Sequence, residues 1–117
     1  MDLVADIMVG LVALLHLWFL VLEMFLWTAP AGRAVFGTDP DFAERSKALA
    51  ANQGLYNGFL VAGLVWGLVG SRTDVTPFFL GCVVVAAVFG AATVSRRILI
   101  VQGLPAAVAV VLVLLAR

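Results

Sequence analysis

At 117 residues the chain has room for one domain, and 64% apolar residues with a mean hydropathy of +1.16 do not suit an ordinary water-soluble one. Charged residues make up 12%, about half of what soluble chains carry. Seven basic and seven acidic side chains cancel, with no long basic run, which excludes the electrostatic footprint of a nucleic-acid binder.

The first apolar stretch, about 3–27, is long enough to cross the roughly 30 Å of a bilayer core as a helix. It is expected to be a retained helix and not a secretory signal: Asp2 and Asp6 occupy the place of a basic n-region, and Thr28-Ala29-Pro30-Ala31 is a poor cleavage context. A charged loop is expected over 28–47, with a turn at Gly37-Thr38-Asp39-Pro40 and a short amphipathic surface segment from Asp41 to Lys47. Further spans are expected at about 49–70, 77–94 and 98–116. The apolar residues run continuously without alternating, so a β-barrel is not expected. Links as short as Ser71 to Thr76 and Ser95-Arg96-Arg97 force neighbouring helices to be antiparallel. The predicted fold is therefore all-α: a polytopic membrane protein, an antiparallel four-transmembrane-helix bundle forming one domain over 1–117.

Orientation follows from the cations. Arg33, Arg45, Lys47, Arg96 and Arg97 fall on one side, Arg72 and Arg117 on the other, which places the first and third loops in the cytoplasm. Both termini then lie outside a plasma (inner) membrane. Gly54 and Gly58, Gly63 and Gly67, and Ala86 and Gly90 repeat at a spacing of four, the pattern that lets membrane helices approach closely, within the chain or between copies. Cys82 is read as a small core residue, since it has no second cysteine to pair with.

The polar residues within the spans discriminate further, because an ionisable or amide group in hydrocarbon needs partners. Glu23 sits in the last turns of the first helix, and Asn52, Gln53, Tyr56 and Asn57 open the second. Gln53, Tyr56 and Asn57 are three and four apart and so share one face, with Asn52 one turn below Tyr56. Thr93 ends the third helix and Gln102 begins the fourth. In an antiparallel bundle these residues fall in one layer of the cytoplasmic half, as a polar ligand site would require. Interhelical glue is the plainer reading, with Glu23 reaching water or pairing with Arg33, Arg96 or Arg97. His16 lies two turns before Glu23 on the same face, about 10 Å away along the axis. It could serve as proton relay, haem ligand or general base, or be an ordinary buried histidine. One histidine, one cysteine and scattered carboxylates make no recognised metal site, and no catalytic triad, phosphate loop or dinucleotide fingerprint is present. The cofactor is left unknown.

Three segments carry a resemblance: Leu22-Glu23-Met24-Phe25-Leu26-Trp27, Asn52-Gln53-Gly54-Leu55-Tyr56-Asn57-Gly58-Phe59-Leu60, and Val101-Gln102-Gly103-Leu104-Pro105-Ala106. Together with Gly81 to Ala87, they resemble the signature stretches of a family of small bacterial membrane proteins, domain of unknown function 1304. The resemblance covers nearly the whole chain and implies a four-helix membrane protein of this length, with no activity to carry over.

Three functions remain open. A binding or transport protein would hold a small amphipathic molecule or ion at the layer of Glu23 and Asn52 to Asn57, and four spans would then call for a homo-oligomer. A membrane-embedded, isomerase-like enzyme would use Glu23 or His16 as acid or base on a lipophilic substrate, oriented by Tyr56, Asn52 and Asn57. An accessory subunit would dock a larger partner through its small-residue faces.

Overall fold

The structure is a computed structural model and describes residues 2–116. Arg117, counted above among the outer cations, lies outside the described residues. Every regular element among the described residues is helical: α1 (Leu3–Met24), α2 (Pro30–Phe36), α3 (Pro40–Val69), α4 (Val75–Thr93) and α5 (Leu104–Leu115), the last led in by a π-helical turn over Leu99–Gly103. The all-α expectation holds. Two of these helices, α1 and α4, are long and apolar enough to cross a membrane, and Leu99–Leu115 is a shorter apolar helix. The amides Asn52, Gln53 and Asn57 dilute the apolar part of α3, which does not reach that threshold.

The segment expected as a charged loop over 28–47 is largely helical, for reasons of local capping. Asp2 starts α1 by accepting the Val4 N–H on its side chain at 2.7 Å. That helix ends at Met24, short of the expected Trp27, and Ala29 is extended ahead of Pro30. Pro30 then opens α2, and Gly37 closes it at φ 67°, a left-handed conformation that suits glycine, with its N–H donated to the Arg33 carbonyl. Asp39 caps the next helix by accepting the Phe42 N–H at 2.8 Å, and Pro40 fills the first helical position, where no N–H is needed. The expected turn over Gly37 to Pro40 is thus the end of one helix and the start of another. The amphipathic segment from Asp41 to Lys47 is the first part of α3, continuous with the apolar part that follows.

Two compact units divide the chain. One takes the chain up to Leu15 and again from Leu60 onward. Its core joins Ala5, Val9, Val12 and Ala13 of α1 with Leu64 of α3, Leu80 of α4, and Ala109 and Val113 of α5. Close approach within this unit depends on Gly67, where an added Cβ would stand 2.1 Å from Thr76 Oγ1 and 3.1 Å from the Thr76 backbone nitrogen. The Thr76 hydroxyl is buried and has no hydrogen-bond partner. After Val69 the chain turns through Ser71 at φ 49°, while the Arg72 N–H is donated to the Gly67 carbonyl and the Ser71 N–H to the Leu68 carbonyl. This is the glycine-favoured end motif with serine in the left-handed position. Arg72 donates to both Asp74 oxygens, at 2.9 and 2.7 Å, and lies 5.4 Å from the Trp66 ring centre. That fork lowers the Asp74 carboxyl to about 2. The π turn has its cause in Pro105: without an N–H it cannot bond the Val101 carbonyl, and the Leu104 N–H bonds Leu99 instead.

The other unit is His16–Phe59. It holds the second half of α1, all of α2 and the first two thirds of α3. Gly32 lets α2 press on the turn after α1, since an added Cβ would stand 2.0 Å from the Leu26 carbonyl oxygen. The Trp27 indole donates to Ser46 Oγ at 3.0 Å, Ser46 donates to the Phe42 carbonyl, and the Trp27 ring stacks on Phe36 at 4.9 Å. These contacts tie the turn, α2 and α3 into one block.

Candidate functional site

A polar, partly buried contact between α1 and α3 lies in the His16–Phe59 unit. Asn57 Nδ2 donates to Glu23 Oε1 at 2.5 Å, joining α1 and α3 across 34 residues of sequence. Asn57 is only 7% exposed, and Glu23 is half-buried. Helical register explains the meeting. Ala50, Gly54 and Asn57 recur at spacings of four and three and form the buried face of this part of α3. Gly54 brings that face onto α1: an added Cβ would stand 2.5 Å from Met24 Cγ and 3.3 Å from the Leu20 carbonyl oxygen. With the two backbones so close, a side chain as short as asparagine reaches the carboxyl.

An ionised carboxyl offers about four acceptor positions, of which Asn57 occupies one. The basic groups of this polar segment are engaged elsewhere. Arg33 Nε donates to the Thr28 carbonyl, Arg45 pairs with Asp41 at 3.0 Å, and Lys47 pairs with Glu44 at 2.5 Å. Glu23 accepts from Asn57, while Arg33, one of the partners open to it alongside water, Arg96 and Arg97, donates to the Thr28 carbonyl.

His16 is fully buried, and its ring meets the Phe19 ring edge-to-face at 5.6 Å. His16, Phe19 and Glu23 follow at spacings of three and four, so one stripe of α1 presents an imidazole, an aromatic ring and a carboxyl. Asn52, Gln53 and Tyr56 are exposed on α3, so the face expected to join Gln53 and Tyr56 with Asn57 is split, Asn57 being the one turned toward α1, and the Tyr56 and Phe59 rings meet edge-to-face at 5.9 Å. Gln102 is half-buried in the π turn and belongs to the other unit. Thr93, in that unit too, is exposed and donates its hydroxyl to the Phe89 carbonyl.

Two contributors were not read from the sequence as parts of the site. Gly54 carried a visible signal, its spacing of four from Gly58, but that spacing speaks for packing in general and does not reveal that it seats Asn57 on Glu23. The link from Trp27 to Ser46 has no local signature, because it depends on the fold-back of α2.

A family model described as "Protein of unknown function (DUF1304)" matches residues 10–114. The chain belongs to this family. The matched stretch of the DUF1304 protein contains all seven candidate residues, from His16 to Gln102. The uncharacterized protein YpaA of Lactococcus lactis subsp. lactis (strain IL1403) is 30% identical over 97 residues, covering 80% of this chain and 82% of YpaA. No solved structure matches the chain.

Proposed function

We propose that this DUF1304 protein is a four-span protein of the plasma membrane that binds or transports a small amphipathic molecule or ion at the Glu23–Asn57 pair. The observation that carries the reading is the hydrogen bond itself. A carboxyl and a nearly fully buried amide meet between two helices, at a depth in the chain where packing alone would be served by apolar groups. Helix glue needs both polar groups satisfied, and this carboxyl keeps acceptor positions open.

The membrane part of the reading rests on surface chemistry. In α1 and α4, 28% of the apolar window is buried within the chain, so most of it faces outward, with Leu3, Leu14, Phe78 and Val85 each more than 60% exposed. Water disfavours such a surface and hydrocarbon accommodates it. The core that draws on α1, α3, α4 and α5 supports these four as the spans of an antiparallel bundle. The excess of cations in the first and third links supports both termini outside. Thiol labelling from either side, with single cysteines at Ser71 and Arg96 in a Cys82→Ala background, checks that topology. A homo-oligomer follows from the small number of spans.

Ligand retention tests the site. Protein purified in mild detergent should carry a stoichiometric small molecule by mass spectrometry, and Asn57→Ala and Glu23→Gln should lose it. Retention unchanged in both variants would overturn the reading. A second reading is favoured by one observation: fully buried His16 shares a stripe of α1 with Glu23, which would suit an acid and base working on a lipophilic substrate. Turnover lost in Tyr56→Phe or His16→Gln, with ligand retained, would select it.

A further inference from the structure

We infer that the Glu23 site takes a monovalent organic cation, an ammonium or comparable charge carrying apolar substituents; the inference rests on the binding reading above and adds the class of ligand. Charge accounting within the His16–Phe59 unit leads to it. Of the lysines and arginines of this unit, Arg45 and Lys47 are ion-paired with Asp41 and Glu44, and Arg33 donates Nε–H to the Thr28 carbonyl. Glu23 receives one neutral donor, the Asn57 amide, and no cationic side chain of the unit pairs with it. A carboxylate in low-dielectric surroundings draws a positive charge strongly, and among the described residues of this unit no lysine or arginine forms an ion pair with it.

The surroundings then select among cations. A hard metal ion asks for six or more oxygen ligands, whereas the pair offers a carboxylate and one amide oxygen, and no cluster of three or more acidic, histidine or cysteine ligands exists among the described residues. Apolar and aromatic side chains neighbour Glu23 instead. Leu20 and Met24 flank Glu23 where α3 crosses, and the Phe19 ring lies one turn earlier on the same stripe. An aromatic face attracts an organic cation, and apolar substituents gain from leaving water. One carboxylate balances one charge, so the ligand is monovalent.

Two isosteric ions of opposite charge provide the test. The full-length protein in phosphatidylcholine nanodiscs is dialysed against tetraphenylphosphonium or tetraphenylborate, with protein-free nanodiscs subtracted. Saturable phosphonium binding is expected, weakened on the order of tenfold or more by Glu23→Gln and largely kept by Glu23→Asp, with no saturable borate binding. Phosphonium binding that ignores Glu23→Gln overturns the inference. Borate binding that depends on Glu23 or Asn57 overturns the cation class and leaves the site standing. Absence of any saturable binding of either ion overturns the cation inference, and if mass spectrometry also finds no retained molecule, the site reading falls with it. Glu23→Gln keeps an oxygen that can accept from Asn57, so its melting point serves as the control for folding. The wild-type comparison of the two ions needs no variant and decides the sign of charge where Glu23→Gln fails to assemble.

Discussion

A double-mutant cycle on Glu23 and Asn57 gives the sharpest check of the site. Asn57→Ala removes a donor held at 2.5 Å and leaves a half-buried carboxyl without its amide. Stranding a polar group of this kind costs about 1–3 kcal/mol. Glu23→Ala strands the asparagine amide, a neutral group, and should cost about 1–2 kcal/mol. Interhelical hydrogen bonds in bilayers have measured coupling near 0.6 kcal/mol, with a maximum of about 1.7. The burial of Asn57 places the expected coupling within that range, at about 1 kcal/mol. The double variant should therefore be more stable than the sum of the two single losses predicts. Glu23→Gln should lie within about 0.5 kcal/mol of wild type, because the glutamine carbonyl can accept the same N–H. Unfolding in mixed micelles with increasing dodecyl sulfate, followed by helical circular dichroism, measures all four corners. Additivity within about 0.3 kcal/mol would show that the two side chains do not interact and would remove the basis of the site.

Four further outcomes follow from the unit built on Ala5, Val9 and Leu80. Gly67→Ala places a methyl 3.1 Å from the Thr76 backbone nitrogen and 2.1 Å from its hydroxyl, so overpacking of about 1–3 kcal/mol should outweigh the helix-propensity gain of about 1 kcal/mol. Thr76→Val, which replaces an unpartnered buried hydroxyl with a methyl, should be neutral or stabilising in the same unfolding assay. Ser71→Gly relieves a left-handed serine at φ 49° and should raise stability by about 1 kcal/mol, whereas Ser71→Val should lower it. Asp74, lowered to about 2 by the Arg72 fork from an ordinary value of 3.8, contributes stability that is present above about pH 4 and lost as pH falls toward 2. The melting point of wild type should drop across that window more than that of Asp74→Asn, by a small amount because the pair is exposed.

Much of the helical inventory is legible in the chain because its causes are local. Asp39-Pro40 and Gly37 carry cap chemistry within four residues, yet their net charge and turn residues read as a loop, and α2 was missed on that account. Capping decides helix ends, whereas hydropathy reports only burial or lipid contact. The start of α3 at Pro40, nine residues ahead of the apolar stretch, has the same explanation. The π turn was not legible: Pro105 is a visible disruptor, but whether a helix kinks, breaks or widens depends on what packs around it, here Gly103 close against Ala87.

For this protein the sequence by itself determined an all-helical chain, the approximate course of its long apolar helices, and Glu23 and Asn57 as polar groups in unexpected company. Those are properties of composition and of periodicity within single segments. Tertiary structure decided that Asn57, and not Arg33, meets Glu23, that Asn52, Gln53 and Tyr56 turn outward on α3, and that Gly54 sets the approach. These choices depend on the rotation of one helix against another 34 residues away in sequence, which a single helix's pattern does not encode.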